Sequence, residues 1–139
     1  MKIGFACGVF DIFHAGHVMM LKECRQNCDY LIVAVNKAQN LSDEINPGKR
    51  KPVFSLEERK MVIQNSKFVD EVLEYNSEDE LYQLLKTRNI SIRFLGDDYK
   101  GKMITGKDLN IPVYYINRSH GYSTTTAIQK ILNVFNDHP

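Results

Sequence analysis

Apolar residues recur along this chain in two alternating rhythms. Lys2 to Cys7 is a short run that reads as a buried strand, and Val18, Leu21, Cys24, Arg25 and Cys28 then continue at helical spacing. Tyr30 to Val35 is a continuous apolar run of strand length, the pattern of a parallel strand covered on both faces, and it is expected beside the first. Val69 to Leu73 alternates as a strand does. Ile90, Ile92 and Phe94-Leu95 form the next strand, and Ile111 to Ile116 the last, with Pro112 at its start where no ladder donor is lost. Capping boxes at Ser55-Leu56-Glu57-Glu58 and Ser77-Glu78-Asp79-Glu80 open two helices, carried by Met61, Val62 and Asn65 and by Leu81, Leu84 and Leu85. A last helix presents Ile128, Ile131, Leu132 and Phe135 on one face. Strands that alternate with helices in this way predict an α/β fold around a parallel sheet.

One stretch breaks the alternation. Asn36 to Phe54 is polar and irregular, with Asn46-Pro47-Gly48 as a turn and Lys49-Arg50-Lys51-Pro52 as a compact basic cluster. A basic run in a loop is commonly just a solvated surface. Here it leaves the carboxyl end of the second strand, the edge where open parallel sheets bind ligands, so an anionic phosphate is the expected client of Lys49, Arg50 and Lys51.

Composition narrows the class without naming a chemistry. At 139 residues, 43% hydrophobic and 25% charged, the chain suits a single domain, 1–139, able to bury a real core. A net charge of +1 argues against a broad nucleic-acid footprint. No apolar run approaches bilayer length, and the first strand follows Met1 without a basic lead or cleavage site, so a cytoplasmic protein with no membrane partner is expected. Cys7, Cys24 and Cys28 are odd in number, which disfavours a disulfide framework. A zinc site built from them with His14 and His17 is conceivable, but small buried apolar residues explain them better and no protein-held metal is expected.

The chemistry concentrates in Gly8-Val9-Phe10-Asp11-Ile12-Phe13-His14-Ala15-Gly16-His17, where the first strand turns into the first helix. Free N–H groups and the helix dipole favour negative charge at such a corner, and Gly16 lets a ligand approach the backbone. Two imidazoles three residues apart can donate hydrogen bonds to phosphoryl oxygens as charge develops. A second corner of the same kind is expected at Arg118-Ser119-His120-Gly121-Tyr122-Ser123-Thr124-Thr125-Thr126, where N-capping needs one hydroxyl and the excess suggests ligand contact. Gly96-Asp97-Asp98-Tyr99-Lys100-Gly101, at the carboxyl end of the fourth strand, can accept hydrogen bonds from a base or ribose or hold a metal through water, although an acidic turn would look the same.

The first segment resembles the H-x-G-H signature of the nucleotidyltransferase superfamily, and its surroundings resemble the glycerol-3-phosphate cytidylyltransferase family. Gly96 to Gly101 resembles that family's G-D-D-W-E-G element, and Arg118 to Thr125 its R-T-E-G-I-S-T-T signature. The resemblance implies a Rossmann-like, three-layer nucleotidyltransferase fold with a central, mostly parallel five-stranded sheet. It implies transfer of CMP from CTP to a small phosphorylated acceptor, glycerol 3-phosphate by resemblance, with release of pyrophosphate, Mg2+ accompanying the nucleotide and a homodimer as the assembly. His14 and His17 match the histidines that stabilise the reacting triphosphate, and Arg118, Ser123 and Thr124 match the nucleotide signature. Ser119 and Tyr122 fall within that signature, and Gly8, Val9, Phe10, Asp11 and Gly16 within the first block. Asp97 or Asp98 matches the pocket carboxylate and Gly96 the glycine before it. Arg59 matches an active-site arginine. Lysines preceding it bind the acceptor phosphate in the family, which points to Lys49 and Lys51, or to Arg50 if the loop slips by one, and Lys67 is the remaining cation near this helix. Val9 stands where the family has threonine, Tyr99 where it has tryptophan, and His120 and Tyr122 where it has glutamate and isoleucine. The loop facing the acceptor also departs from the family, so CTP is better supported than glycerol 3-phosphate. An adenylyltransferase using ATP, or another acceptor such as a sugar or amino-acid derivative, would use the same scaffold.

Overall fold

A computed structural model describes residues 1–38 and 51–137. Five strands and four helices follow in the order β1 (Ile3–Gly8), α1 (Ala15–Gln26), β2 (Tyr30–Asn36), α2 (Leu56–Gln64), β3 (Glu71–Tyr75), α3 (Glu78–Thr87), β4 (Ile92–Gly96), β5 (Val113–Ile116) and α4 (Thr124–Asp137). Short 3-10 turns at Asp97–Tyr99 and Lys107–Leu109 separate β4 from β5. The strands form one sheet in the order β3-β2-β1-β4-β5, and every pairing is parallel. The alternation expected from the sequence is therefore the observed one, and β2 lies beside β1 as predicted. The third strand begins two residues later than its alternation suggests. The Asp70 N–H bonds the Leu31 carbonyl at 3.0 Å but its carboxylate takes the Leu31 N–H at 2.8 Å, and Val69 N–H closes a turn on Ser66, so regular pairing begins at Glu71.

Strand alternation divides the core between the two faces. Leu31, Val33 and Val35 of β2 pack with Leu21 and Cys24 of α1 and Ile63 of α2, whereas Ile32 and Ala34 pack with Phe5, Tyr75, Leu81 and Leu85 on the α3 side. Full burial of a side chain such as Leu21 or Ile63 contributes about 1.5–3 kcal/mol. Gly4 in β1 is required by this packing, since a Cβ there would lie 2.6 Å from Phe94 Cε2 and 2.8 Å from Cys28 Sγ. Cys24 and Cys28 are buried, and the Cys28 thiol bonds to the Cys24 carbonyl, so both behave as small core residues.

Two expectations change in detail. The Ser55 capping box is complete, but Glu80 turns its carboxylate to the Asn76 N–H at 2.8 Å and leaves Ser77 with only half a box. The apolar face of α4 is left uncovered, with Ile131, Leu132, Val134 and Phe135 all exposed. The Asn46-Pro47-Gly48 turn lies outside the described residues.

The order in which strands are added reverses at β1: β2 and β3 extend to one side, β4 and β5 to the other, all running parallel. Loops leaving adjacent strands toward opposite sides open a crevice at the strands' carboxyl ends, where doubly wound sheets bind ligands.

Candidate active site

A cleft of about 760 Å3 occupies that crevice, within the range of small-molecule sites. Its wall at the centre comes from the loop that carries β1 into α1. Phe10 and Ile12 in this loop hold left-handed backbone conformations, with φ of 54° and 49°. Such values are costly for a bulky or β-branched residue and persist only where surrounding structure imposes them. Asp11 supplies part of that constraint. Its buried carboxylate accepts the N–H of Val53 at 2.7 Å and of Phe54 at 3.0 Å, and its carbonyl accepts the Thr124 hydroxyl at 3.0 Å. Asp11, expected among the nucleotide-binding residues, thus ties the histidine loop to the segment before α2 and to α4.

Both histidines are built into the start of α1. His14 is the N-cap, its Nδ1 accepting the Gly16 N–H at 3.0 Å, and His17 Nδ1 accepts the His14 N–H at 3.2 Å, completing a reciprocal capping box. A ring nitrogen that accepts carries no proton, so the proton of each neutral imidazole sits on Nε2. His14 Nε2 lies 3.4 Å from Thr124 Oγ1, whose own proton goes to Asp11. The rings lie 3.9 Å apart, and Phe13 stacks on His17 at 5.4 Å. This corrects the expectation of free N–H groups here: the Gly16 N–H is used by His14. Gly16 serves close packing, because a Cβ would meet His14 Cε1 at 2.8 Å and Tyr122 Cβ at 2.9 Å. What the rings can offer an anion is the His17 Nε2–H and that of His14, whose contact to Thr124 Oγ1 is long enough at 3.4 Å to be exchanged for a phosphoryl oxygen.

Burial, reinforced by His14 and Arg118 and opposed by Asp11, depresses His17 to about 4; burial and then His120 lower His14 as well. Both rings are therefore neutral donors at pH 7. The sign for stability follows. From an ordinary value of 6.5 down to about 4, the unfolded chain takes up a proton at His17 that the folded chain refuses, so stability falls as pH falls through this window. The effect is on the order of 3 kcal/mol by pH 4. Thermal melts of the parent and of His17→Gln at pH 7 and pH 4.5 check it: the variant is expected to lose less stability than the parent on acidification, and an equal loss would contradict a depressed His17.

The second corner closes the cleft from the β5 side. Arg118, His120, Tyr122, Ser123, Thr124 and Thr125 line it together with His14 and His17. The two strand-to-helix corners therefore share one cleft, as the sequence requires. Arg118 is half exposed, its Nε 3.9 Å from Asp98 Oδ1, and Gly96 makes room for the approach, since a Cβ there would collide with Asp98 and come within 2.7 Å of Arg118 Nε. His120 and Tyr122 stack at 5.4 Å, with His120 Nδ1 accepting the Tyr122 N–H. The surplus hydroxyls have three uses. Ser123 and Thr126 cap α4 reciprocally, Thr124 bridges to Asp11 and His14, and Thr125 faces the cleft.

Several expected site residues lie elsewhere. Gly96, Asp97 and Asp98 stand behind Arg118 and do not line the cleft, and Ser119 turns its N–H to Asn117 Oδ1 outside it. Arg59 is 3% exposed and spends its guanidinium on four carbonyls: Phe54 at 3.1 Å, Val9 at 2.9 Å, Asn36 at 2.6 Å and Lys37 at 3.2 Å. It pins the loops that form the cleft and does not reach into it. Lys67, in the turn before β3, lies over the Phe68 ring at the opposite edge of the sheet from the cleft. Lys51 precedes Pro52, which lines the cleft, whereas Lys49 and Arg50 lie outside the described residues. Sequence reasoning missed Asn36, Asn76, Ser77 and Glu78, which line the β2–β3 end. Their signal was available, since each stands at or just after the carboxyl end of a parallel strand. Val9, Phe10 and Gly8 line the cleft as expected, joined by Cys7 and Met20.

Comparison with known proteins agrees with this geometry. A family model described as Cytidylyltransferase-like matches residues 5–130. The chain is 35% identical over 132 residues to the glycerol-3-phosphate cytidylyltransferase of Bacillus subtilis, covering 94% of this chain and 98% of that protein. It is also 35% identical over 136 residues to the bifunctional protein HldE of Campylobacter concisus, covering 98% of this chain but 28% of that longer protein. Among solved structures, the lipopolysaccharide core biosynthesis protein from Thermoplasma volcanium superposes with a TM-score of 0.64 at 29% identity, covering 84% of this chain and 95% of that one.

Proposed function

Because the chain belongs to the cytidylyltransferase-like family, and is by that membership a CTP-dependent nucleotidyltransferase, we propose that it transfers CMP from CTP to a small phosphomonoester, with glycerol 3-phosphate first among the acceptors. A phosphate oxygen of the acceptor attacks the α-phosphorus in line, a new P–O bond forms, the bond to the β-phosphate oxygen breaks, and pyrophosphate leaves with the electron pair. No covalent enzyme intermediate is needed. The observation that supports this reading best is the shared cleft in which two neutral Nε2–H donors and the Arg118 guanidinium converge. Hydrogen-bond donors fixed in advance around a phosphoryl group stabilise the charge that builds up as it transfers.

Arg118, Ser123, Thr124 and Thr125 hold the nucleotide on one side. Lys51, next in sequence to the cleft-lining Pro52, attracts the acceptor's phosphate on the other, a task the sequence also suits Lys49 and Arg50 to share. Among the described residues no group of three or more His, Cys, Asp or Glu could hold a metal ion. Mg2+ would accompany the triphosphate, held by its oxygens and water, where it would neutralise charge. Among the described residues no helix is long and apolar enough to cross a membrane. The three cysteines are free, which suits the reducing cytoplasm we assign to the reaction. The uncovered apolar face of α4 suits a homodimer contact.

Pyrophosphate release measured separately with CTP and ATP, against a panel of small phosphomonoesters, tests the proposal. CTP is expected to exceed ATP in kcat/KM by about 10-fold or more. A preference for ATP would make the chain an adenylyltransferase, and no release with any acceptor would refute transfer altogether.

A further inference from the structure

In-line displacement places the attacking oxygen and the departing pyrophosphate on opposite sides of the α-phosphorus. With the triphosphate held at the Arg118 corner, the acceptor enters from the β2–β3 end, which is lined by Asn36, Ala38, Pro52, Asn76, Ser77 and Glu78. No lysine or arginine is among these described residues. Asn36 Oδ1 accepts the Ala38 N–H at 2.8 Å, which leaves its amide hydrogens to donate, and Ser77 Oγ accepts the Glu80 N–H at 3.1 Å, which leaves the hydroxyl proton to donate. Among these six described residues Glu78 is the charged one.

Glu78 is also held from behind. Its Oε2 accepts the hydroxyl of Thr105, the Thr105 carbonyl accepts Arg93 Nη1, and Arg93 is buried at 3% exposure in β4. The Thr105 hydroxyl, anchored through its own carbonyl to the buried Arg93, fixes the position of this carboxylate. A carboxylate acceptor fixed among neutral donors suits hydroxyl groups, which both donate and accept. An ammonium can donate to Glu78 but has no lone pair with which to accept from Asn36 and Ser77, as a hydroxyl does, and a second carboxylate is repelled by Glu78.

We propose that Glu78 is a specificity-determining residue for the acceptor, taking hydrogen bonds from the carbon-chain hydroxyls of a phosphorylated polyol or sugar and excluding phosphomonoesters with a second anionic group at that end. The proposal rests on the reading of the chain as a cytidylyltransferase. Steady-state kinetics with CTP and three small phosphomonoesters test it: glycerol 3-phosphate, ethanolamine phosphate and 3-phosphoglycerate end respectively in hydroxyl, ammonium and carboxylate groups. The parent is expected to use glycerol 3-phosphate with kcat/KM at least about 10-fold above either of the others. Glu78→Gln is expected to raise KM for glycerol 3-phosphate by about 10-fold, to leave KM for CTP within about twofold, and to narrow the gap to 3-phosphoglycerate. Thr105→Val, which frees the carboxylate from its support without touching the cleft, is expected to raise the same KM by a smaller factor. Turnover in which the KM of glycerol 3-phosphate ignores Glu78, or a parent enzyme that prefers ethanolamine phosphate or 3-phosphoglycerate, overturns the assignment alone. Pyrophosphate release with none of the three but with a sugar phosphate moves the same Glu78 test to that acceptor, and release with no phosphomonoester of the wider panel overturns the transfer reaction and the assignment with it.

Discussion

His14→Asn and His17→Gln are each expected to lower kcat with CTP by about 100-fold or more while leaving the thermal midpoint within a few degrees of the parent. These substitutions separate the two duties of each ring. Asparagine is a favoured N-cap and replaces the Nδ1 acceptor for Gly16, and glutamine at the third helical position reaches back to the N-cap N–H, so both keep the capping box. Neither restores an Nε2–H donor at its place in the cleft. A transition-state role removes kcat more than it raises KM for CTP. Variants that melt earlier but turn over at the parent rate would reduce the histidines to caps.

Arg59→Met is expected to act on the fold. It strands the carbonyls of Phe54, Val9, Asn36 and Lys37, and each buried unsatisfied acceptor costs about 1–3 kcal/mol before relaxation. With partial rescue by water, a net loss of about 3–5 kcal/mol follows, or roughly 10–20 °C in the thermal midpoint. Arg59→Lys is expected to recover little, because a single ammonium cannot reach four carbonyls on separate segments. Chemical denaturation of both variants measures the loss. A normal midpoint with a large fall in kcat would instead return Arg59 to the active-site role that its place in the family pattern implies.

Sequence reasoning located elements and missed partnerships. The strands were visible because Tyr30 to Val35 and Ile111 to Ile116 are apolar runs of the right length, and β2 is almost fully buried in the sheet. The two corners were visible because histidines, glycines and hydroxyls cluster where a strand becomes a helix. Hidden was where each polar group spends its bonds. Asp11 and Arg59 are charged residues in or near family motifs, yet one is consumed by the N–H groups of Val53 and Phe54 and the other by four carbonyls. Residue type announces a capacity to bond; only the folded chain reveals its target. Lys67 illustrates a different failure. Its distance in sequence from Arg59 is short, but α2 runs antiparallel to the strands it joins and carries Lys67 to the far edge of the sheet. Glu78 was passed over for the converse reason. Its place in an apparent capping box supplied a sufficient explanation, and its approach to Thr105 joins segments 27 residues apart.

The protonation state of the two rings ties geometry to chemistry here, and 15N NMR of histidine-labelled protein reads it. With four histidines in the chain, assignment by single substitution is tractable. At pH 7, His14 and His17 are expected as neutral rings protonated at Nε2 with unprotonated Nδ1, and both Nε2 signals are expected to move when CTP with Mg2+ is added. A cationic ring, a proton on Nδ1, or Nε2 signals that CTP leaves in place would contradict two neutral donors meeting the triphosphate.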